Sequence, residues 1–451
     1  MPTLIPRCGA RLGPERLALA TEDLAGAVDA AVADLGRMVA IDTSFPPGRG
    51  CARFAALMEE LLAPLGFDCE RVVVPPDLWR DAAGLAEGER TNLLARRKTG
   101  RPVAALYFHV DTVPAAAGWQ QDPFRLVETD GRLSGLGAAD MKGCIAAVLL
   151  ALRAAKAFDV PLAYDPMLLL CTDEEGGLYP GVRYLAEQGK LEGHVLNFNG
   201  SAEARIWAGC FGMFNVMITV KGVAAHAGEG TAAAGFDAIE GALPLLRLLQ
   251  ALKAMVATRT SRLPPHPGAK GPLAARLTIA SLHGGTAGGQ IPGALSILVN
   301  RRYPPEERFE DALAEIEALV AAARNAHPAL AFETALVGHL VPTADPAGPH
   351  WPRWQRALAK GFDYPLDAFR RWGAASCSDF GYVQRATGRS EVLLGGLARP
   401  ESRIHGPGEH TTRRDLISLA TAVLSYLSAD FAPELVPHPG LPAEGAPHAA
   451  A

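Results

Sequence analysis

Residues 103–111 read Val-Ala-Ala-Leu-Tyr-Phe-His-Val-Asp, and residues 167–175 read Met-Leu-Leu-Leu-Cys-Thr-Asp-Glu-Glu. Each is a short apolar run that ends abruptly in acids or an imidazole. Between them, residues 144–157 have the composition of a buried helix. Apolar runs of this length, bounded by polar residues, are strands buried on both faces. Separated by a helix, they imply an α/β fold with a mixed, largely parallel sheet flanked by helices. Open sheets of this kind gather their chemistry at the carboxyl ends of the strands, where these polar residues fall.

Upstream, residues 22–40 and 51–65 carry apolar positions at helical spacing, with Phe54, Leu57, Leu61 and Leu62 on one face. Asp42-Thr43-Ser44-Phe45-Pro46-Pro47-Gly48 between them is a loop by composition. Downstream the pattern changes. Phe214, Val216, Ile218 and Val220 alternate with Asn215, Met217 and Thr219, the period of a half-buried strand. A helix is expected near 236–256, strands near 275–282 and 294–300, a helix near 306–325 and a strand near 330–337. That order, β-α-β-β-α-β, is the ferredoxin-like arrangement, a unit compact enough to be inserted in a larger domain. The loop 261–272, rich in proline and glycine, is expected to be mobile, and a helix is expected at 413–428. The domain reading is 1–210 for the first part of a catalytic domain, 211–338 for the insert, 339–432 for its second part, and 433–451 for a disordered tail.

At 451 residues, length alone suggests about two to three domains. A net charge of -5 gives no reason to expect nucleic acid or an anionic membrane as partner. The seven cysteines are odd in number, scattered and without a C-x-x-C pair, which argues against a disulfide framework and a thiolate zinc site. The first twenty residues lack the basic-then-apolar order of a signal peptide, and no window approaches 18 unbroken apolar residues. A cytoplasmic location is the expectation.

Four segments carry chemistry. His109-Val110-Asp111 follows the first strand; an Asp two residues from a ligating His can fix its tautomer, although H-x-D alone is a weak signal. Asp140-Met141-Lys142-Gly143 opens a helix, where an Asp is more often an N-cap than a ligand. Thr172-Asp173-Glu174-Glu175 crowds carboxylates at a buried strand end, which needs a compensating positive charge or full solvation. His405, in Arg403-Ile404-His405-Gly406-Pro407-Gly408-Glu409, means little by itself.

Together, H-x-D, D-M-K-G, T-D-E-E and a late H-x-P-x-E resemble the co-catalytic metallopeptidases that include aminoacylase, glutamate carboxypeptidase, acetylornithine deacetylase and succinyl-diaminopimelate desuccinylase. The resemblance spans roughly residues 25–430, and the inserted unit is similar to that family's lid or dimerisation domain. It implies a divalent metal centre of one or two ions, Zn or Mn, with His109 on one ion, Asp140 bridging, and Glu175 with His405 on the other. It implies Glu174 as the general base for a metal-activated water, Asp111 as the group orienting His109, and His226 as an oxyanion donor from the lid. Arg302 would hold a substrate carboxylate, Gln290 stands where a substrate-binding Asn is frequent, and a homodimer through the lid is the implied assembly.

The pattern breaks at Leu196-Asn197-Phe198-Asn199-Gly200-Ser201, where Asn199 aligns with an acid that is the fifth ligand in the family. A neutral amide oxygen is a poorer ligand for Zn²⁺ than a carboxylate, so the His109 side should bind metal weakly or not at all. Glu203 is the substitute if the loop is rearranged. Asn300, where an Asp is common, is a further mild departure.

Three readings follow. The first is a metal-dependent hydrolase that cleaves a C–N bond of a small carboxylate-bearing substrate, as an amidohydrolase, deacylase or carboxypeptidase. The second is an atypical single-metal member that deaminates an aromatic amine, since the resemblance extends to 5-nitroanthranilate aminohydrolase. Arg370, Arg371, Trp372 and Phe211 are then candidates by position for charge and stacking. The third is a non-catalytic binding protein, disfavoured because the base and the other ligands all remain.

Overall fold

The computed structural model describes residues 13–80, 86–175, 181–228 and 236–431; the expected tail at 433–451 lies outside them. A six-stranded sheet runs in the order Asp68–Val73, Thr91–Arg96, Asp165–Cys171, Val103–His109, His194–Asn197 and Val392–Leu394. The last four strands are mutually parallel, and the first two pair antiparallel at one edge. Side chains on successive strand residues go to opposite faces. Leu106, Phe108, Leu168, Leu170 and Leu196 therefore pack on the helices Gly13–Val39, Lys142–Ala157 and Arg413–Leu427. Ala105, Tyr107, Met167, Leu169 and Cys171 face the short helices Gly181–Glu187 and Phe380–Thr387. Each fully buried leucine or phenylalanine contributes roughly 1.5–3 kcal/mol by leaving water, so two covered faces hold the sheet firmly.

Helix Lys142–Ala157 is apolar nearly all round because it lies between the first helix and the last. Its opening turn admits no side chain at Gly143, where a Cβ would stand 2.2 Å from the carbonyl oxygen of Ala138. The loop carrying Asp140 is thereby pressed onto the helix.

A second sheet has four antiparallel strands in the order Arg276–Gly284, Ala294–Tyr303, Gly212–Lys221 and Ala331–Leu340. Phe214, Val216, Ile218 and Val220 point to one face and bury against the helices Ala238–Val256 and Phe309–Ala326, a core separate from that of the large sheet. Helix Ala238–Val256 starts two residues later than its periodicity suggests, because Asp237 caps it by accepting from the amides of Ile239 and Glu240. The start of the loop 261–272 is tied down, while residues 267–272 are exposed. Ser261 and the amide of Arg262 bond Glu306, and the amide of Gly373 donates to the Pro264 carbonyl at 2.8 Å. No helix among the described residues is long and apolar enough to cross a membrane.

Candidate metal centre

Register decides the site. Phe108 lies opposite Leu170 and His109 opposite Cys171, so the two strands end together. His109 thus sits beside the turn Thr172–Glu175. That turn is held from below: Asn92 accepts from the amide of Thr172 at 3.0 Å, and the Asp111 carboxylate accepts from the amides of Glu174 and Glu175 at 3.3 and 2.9 Å. Asp173 adopts a left-handed conformation (φ 61°), which Asp tolerates better than most residues. Its carboxylate meets the wholly buried Arg90 at 2.7 Å, and Arg90 also donates to the carbonyls of Pro47, Gly48 and Glu87.

Asp140 arrives from the loop before helix Lys142–Ala157. Met141 occupies the N-cap position with no side-chain cap bond, so Asp140 is free for another task. Glu409 grips the loop, accepting from the amides of Gly137, Ala139 and Asp140 at 3.0–3.1 Å. Lys142 is buried, donates to the Ile41 carbonyl at 3.0 Å, and has its pKa pulled down by burial to about 8. His405 enters on the late loop, also in the left-handed region (φ 63°).

These loops converge. His109 Nε2 lies 3.1 Å from Asp140 Oδ1, and His405 Nε2 lies 2.8 Å from Glu175 Oε1 and 3.4 Å from Asp140 Oδ2. His109 Nδ1 faces the carbonyl oxygen of Asp111 at 3.0 Å, which fixes the tautomer that leaves Nε2 for a ligand. The Asp111 carboxylate stands farther off, at 3.7 Å, occupied with the turn amides. Asp111 therefore orients His109 mainly through its backbone.

The electrostatics are those of crowded acids. Burial pushes Glu174 well above its ordinary value, and the charges of Asp379, Glu175 and Asp140 add to that. Burial raises Asp379 to about 6, although the Tyr107 hydroxyl donates to it at 3.0 Å. Burial opposes charge on His109 too, but Asp140, Glu174 and Asp111 outweigh it and raise the imidazole well above its ordinary value. His405 is raised to about 10 by its bonds to Asp140 and Glu175. A cluster this acidic calls for positive charge.

The donor set fits a divalent cation. Asp140, Glu175 and His405 offer atoms within 4.8 Å of one another, as do His109, Glu174 and Glu175. Nitrogen and carboxylate donors at such spacing suit Zn²⁺ or Mn²⁺. Asn199 lies among them, and its amide nitrogen donates to Glu174 Oε1 at 3.0 Å.

A cavity of about 480 Å³ opens over this cluster, lined by Asp140, Glu174, Glu175, Asn199 and His405 on one part of its wall. Arg302 also lines it, as the resemblance implies. His226 and Gln290 face each other in a two-stranded ladder and do not line it. Glu203 turns to His266 at 3.7 Å and does not line it either. Arg371 pairs with Asp345, Arg370 bonds nearby carbonyls, Phe211 is core, and Trp372 packs against His266; none of the four reaches the cavity wall.

Sequence reading missed Arg90, Arg205, Trp207, Cys377 and Asp379. Arg205, Trp207 and Cys377 line the cavity, while Arg90 and Asp379 support it. A lone charged residue beside a strand gives no sign of being buried, so only Asp379, next to Ser378 before a helix, had any local signal, and that signal reads as an N-cap.

The sequence pattern of the family described as "Peptidase family M20/M25/M40" matches residues 105–429. Succinyl-diaminopimelate desuccinylase of Halorhodospira halophila (strain DSM 244 / SL1) is 29% identical over 408 residues, covering 86% of this chain and 95% of that protein. The protein of the same name from Delftia acidovorans (strain DSM 14801 / SPH-1) is 32% identical over 302 residues, 63% of this chain and 71% of that one. Among solved structures, human carnosine dipeptidase 1 superposes with a TM-score of 0.73 at 18% identity, over 91% of this chain and 98% of that one. The dipeptidase Dug1p from Saccharomyces cerevisiae gives 0.73 at 16% identity, over 92% and 98%. At those identities the two structures speak to the fold alone.

Proposed function

The chain belongs to peptidase family M20/M25/M40, a family of metal-dependent hydrolases acting on C–N amide bonds, and from that premise we propose that it hydrolyses the amide of a small N-acyl, carboxylate-bearing compound. The observation that carries this reading is the convergence of Asp140, Glu175 and His405 beside the half-buried acid Glu174 on one cavity wall. Asp140, Glu175 and His405 would hold a divalent ion, which would supply Lewis-acid polarisation and make a water more acidic. Glu174, its pKa raised by burial, takes the proton from the attacking water at a carboxylate oxygen and passes it to the leaving nitrogen. Asn199 steadies that carboxylate at Oε1. His109 keeps Asp140 aligned, and Arg302 holds the substrate carboxylate. We take 211–338 as a lid, and we propose that a second copy of the chain supplies His226, since the chain's own His226 does not line the cavity.

Asn199 also bears on metal count. Its amide nitrogen points at Glu174, and its neutral oxygen is a weak donor, so the His109 side of the centre binds a second ion poorly. The aromatic-amine reading has less support: Trp207 is the one aromatic wall among the lining residues. The test is elemental analysis of protein purified without added metal, then reconstitution with Zn²⁺ or Mn²⁺ and assay on N-acyl amino acids. One tightly held ion with amide hydrolysis is the expected result, and Asn199→Asp should raise the count towards two. Two tight ions in the unaltered protein would refute the Asn199 argument; no ion after reconstitution would refute the hydrolase reading.

A further inference from the structure

The amino ends of the parallel strands frame a second cavity, larger than the one over the acids, at about 670 Å³. Two paired strands reach both. His194 and Val195 line the second cavity and Asn197 the first; on the neighbouring strand Val392 lines the second and Leu394 the first. Three residues of strand span about 10 Å, so packed sheet keeps the two apart. Neither cluster of metal-ligating groups among the described residues lies on the second wall.

Its floor is apolar. Leu191, Val195, Val383 and Val392 belong to the core between the large sheet and the helices Gly181–Glu187 and Phe380–Thr387, and Val103 packs on that core. Apolar side chains that face a void forgo the dispersion contacts an apolar body would supply. The acid on the wall is already engaged. Glu391 accepts from the His350 amide at Oε1 and lies against His350 Nδ1 at Oε2, both at 2.7 Å. The His350 ring is fixed in turn by its stack on His194, with centroids 3.8 Å apart. On either side of Leu191 in sequence, Lys190 pairs with Glu70 and Glu192 with Arg96.

Arg389 is the exception. Helix Phe380–Thr387 ends at Gly388, whose left-handed conformation (φ 66°) turns the chain, and Arg389 follows on the cavity wall. Its Nη1 donates to the Gly193 carbonyl at 2.6 Å, and Gly193 lines the cavity too, so the guanidinium is tethered at the mouth. Among the described residues no acid lies within ion-pair distance of it, and its Nε and Nη2 have no acceptor. The wall therefore combines an apolar floor with one held, unneutralised cation.

We propose that this cavity binds an apolar monocarboxylate, its body on the valines and Leu191 and its carboxylate on the free edge of the Arg389 guanidinium. A planar fork matches carboxylate geometry, and one already tied at a corner loses less freedom on pairing than a free side chain. The site is distinct from the reaction cavity and does not depend on which bond is cut there.

The test uses three ligands with one body: phenylbutanoate, phenylbutanol and phenylbutylamine. Each is titrated into the unaltered protein, and hydrogen exchange is followed peptide by peptide, so that the readout is local. The acid should slow exchange in 191–195 and 383–392, with an affinity about tenfold above the alcohol and the amine weakest, the scale of one charge-assisted pair. Arg389→Met should bring the acid down to the alcohol's affinity, and Arg389→Lys should restore part of the difference. Arg302→Met, in the reaction cavity, should leave the effect at 191–195 intact. Slowing confined to 197–199 and 374–378, or slowing at 191–195 that survives Arg389→Met, overturns the proposal. An amine that binds as tightly as the acid, or no response at millimolar acid, overturns it as well. Slowing of 191–195 by raised protein concentration alone, without any response to the acid, would give the cavity to a second copy of the chain and sink the proposal.

Discussion

At the carboxyl ends of the parallel strands, His109 and His405 sit among carboxylates; at the amino ends, His194 and His350 sit against each other. The second pair borders a cavity of about 670 Å³ near Val103 and Val392. The His194 and His350 rings stack with centroids 3.8 Å apart, His194 Nε2 meets the Tyr426 hydroxyl at 2.6 Å, and His350 Nδ1 meets Glu391 at 2.7 Å. Burial and the neighbouring His350 drive His194 down to about 3. His405, held by Asp140 and Glu175, goes the other way, to about 10. One residue type thus behaves oppositely at the two ends of one sheet. Burial always works against the charged imidazole, and only a concentration of acids reverses it. Acids so concentrated mark a candidate reaction centre, whereas at His194 burial and the neighbouring His350 both disfavour a charge.

The largest expected effect tests the chemical end directly. Glu174→Gln should lower kcat by about 10³-fold, within the usual range for losing a general base, while leaving metal content unchanged. A kcat within roughly threefold of the original would mean that this acid cluster is not the reaction centre. Next in size is the frame beneath it. Arg90→Met strips a buried partner from Asp173 and should cost about 3–5 kcal/mol in urea unfolding, because a carboxyl that burial already raises to about 7 loses its one neutralising neighbour. A loss below about 1 kcal/mol would show that the turn stands without its ion pair.

The effect spread most thinly over pH lies at the other end, small near pH 6 and growing only with acid. His194 binds its proton in the unfolded chain near pH 6.5 but not in the folded one until about pH 3. The unfolded state therefore gains protons first as pH falls, and stability declines between those values by up to about 1.4 kcal/mol per unit from this group. Stability against urea at pH 7, 6, 5 and 4 should show that slope, and His194→Gln should flatten it. An unchanged slope in the variant would place the acid sensitivity elsewhere.

Two strands of the large sheet, Val103–His109 and Asp165–Cys171, were legible as apolar runs, whereas Asp68–Val73, Thr91–Arg96 and His194–Asn197 carry polar residues and were not; the second sheet was legible because Phe214 to Val220 alternate with period two. Boundaries were less so: the first helix begins at Gly13, well before residue 22, since its early turns pack on other elements. Of the site, His109, Asp140, Glu174, Glu175 and His405 were each weak alone and readable only as an ordered set of motifs resembling the family, with Asn199 placed by that resemblance; the six do come together. Asp111 was readable as a partner of His109, but its carboxylate is spent on the Glu174 and Glu175 amides, a backbone matter that no residue pattern encodes. Glu409 stood within a quoted motif without a role, because its partners are the amides of a loop some 270 residues away in sequence.

The sequence by itself determined the strands with a clear apolar run or period-two alternation, such as Val103–His109, Asp165–Cys171 and Gly212–Lys221, and the polar groups that stand at the ends of the first two, since these follow from local periodicity and side-chain type. Tertiary structure alone decided that Arg205 shares a cavity with Arg302, that Arg90 is buried under Asp173, and that His226 stays away from its own chain's acids. Those outcomes depend on how separate elements pack. A charge shows its burial and its lack of a partner only once distant segments have closed around it.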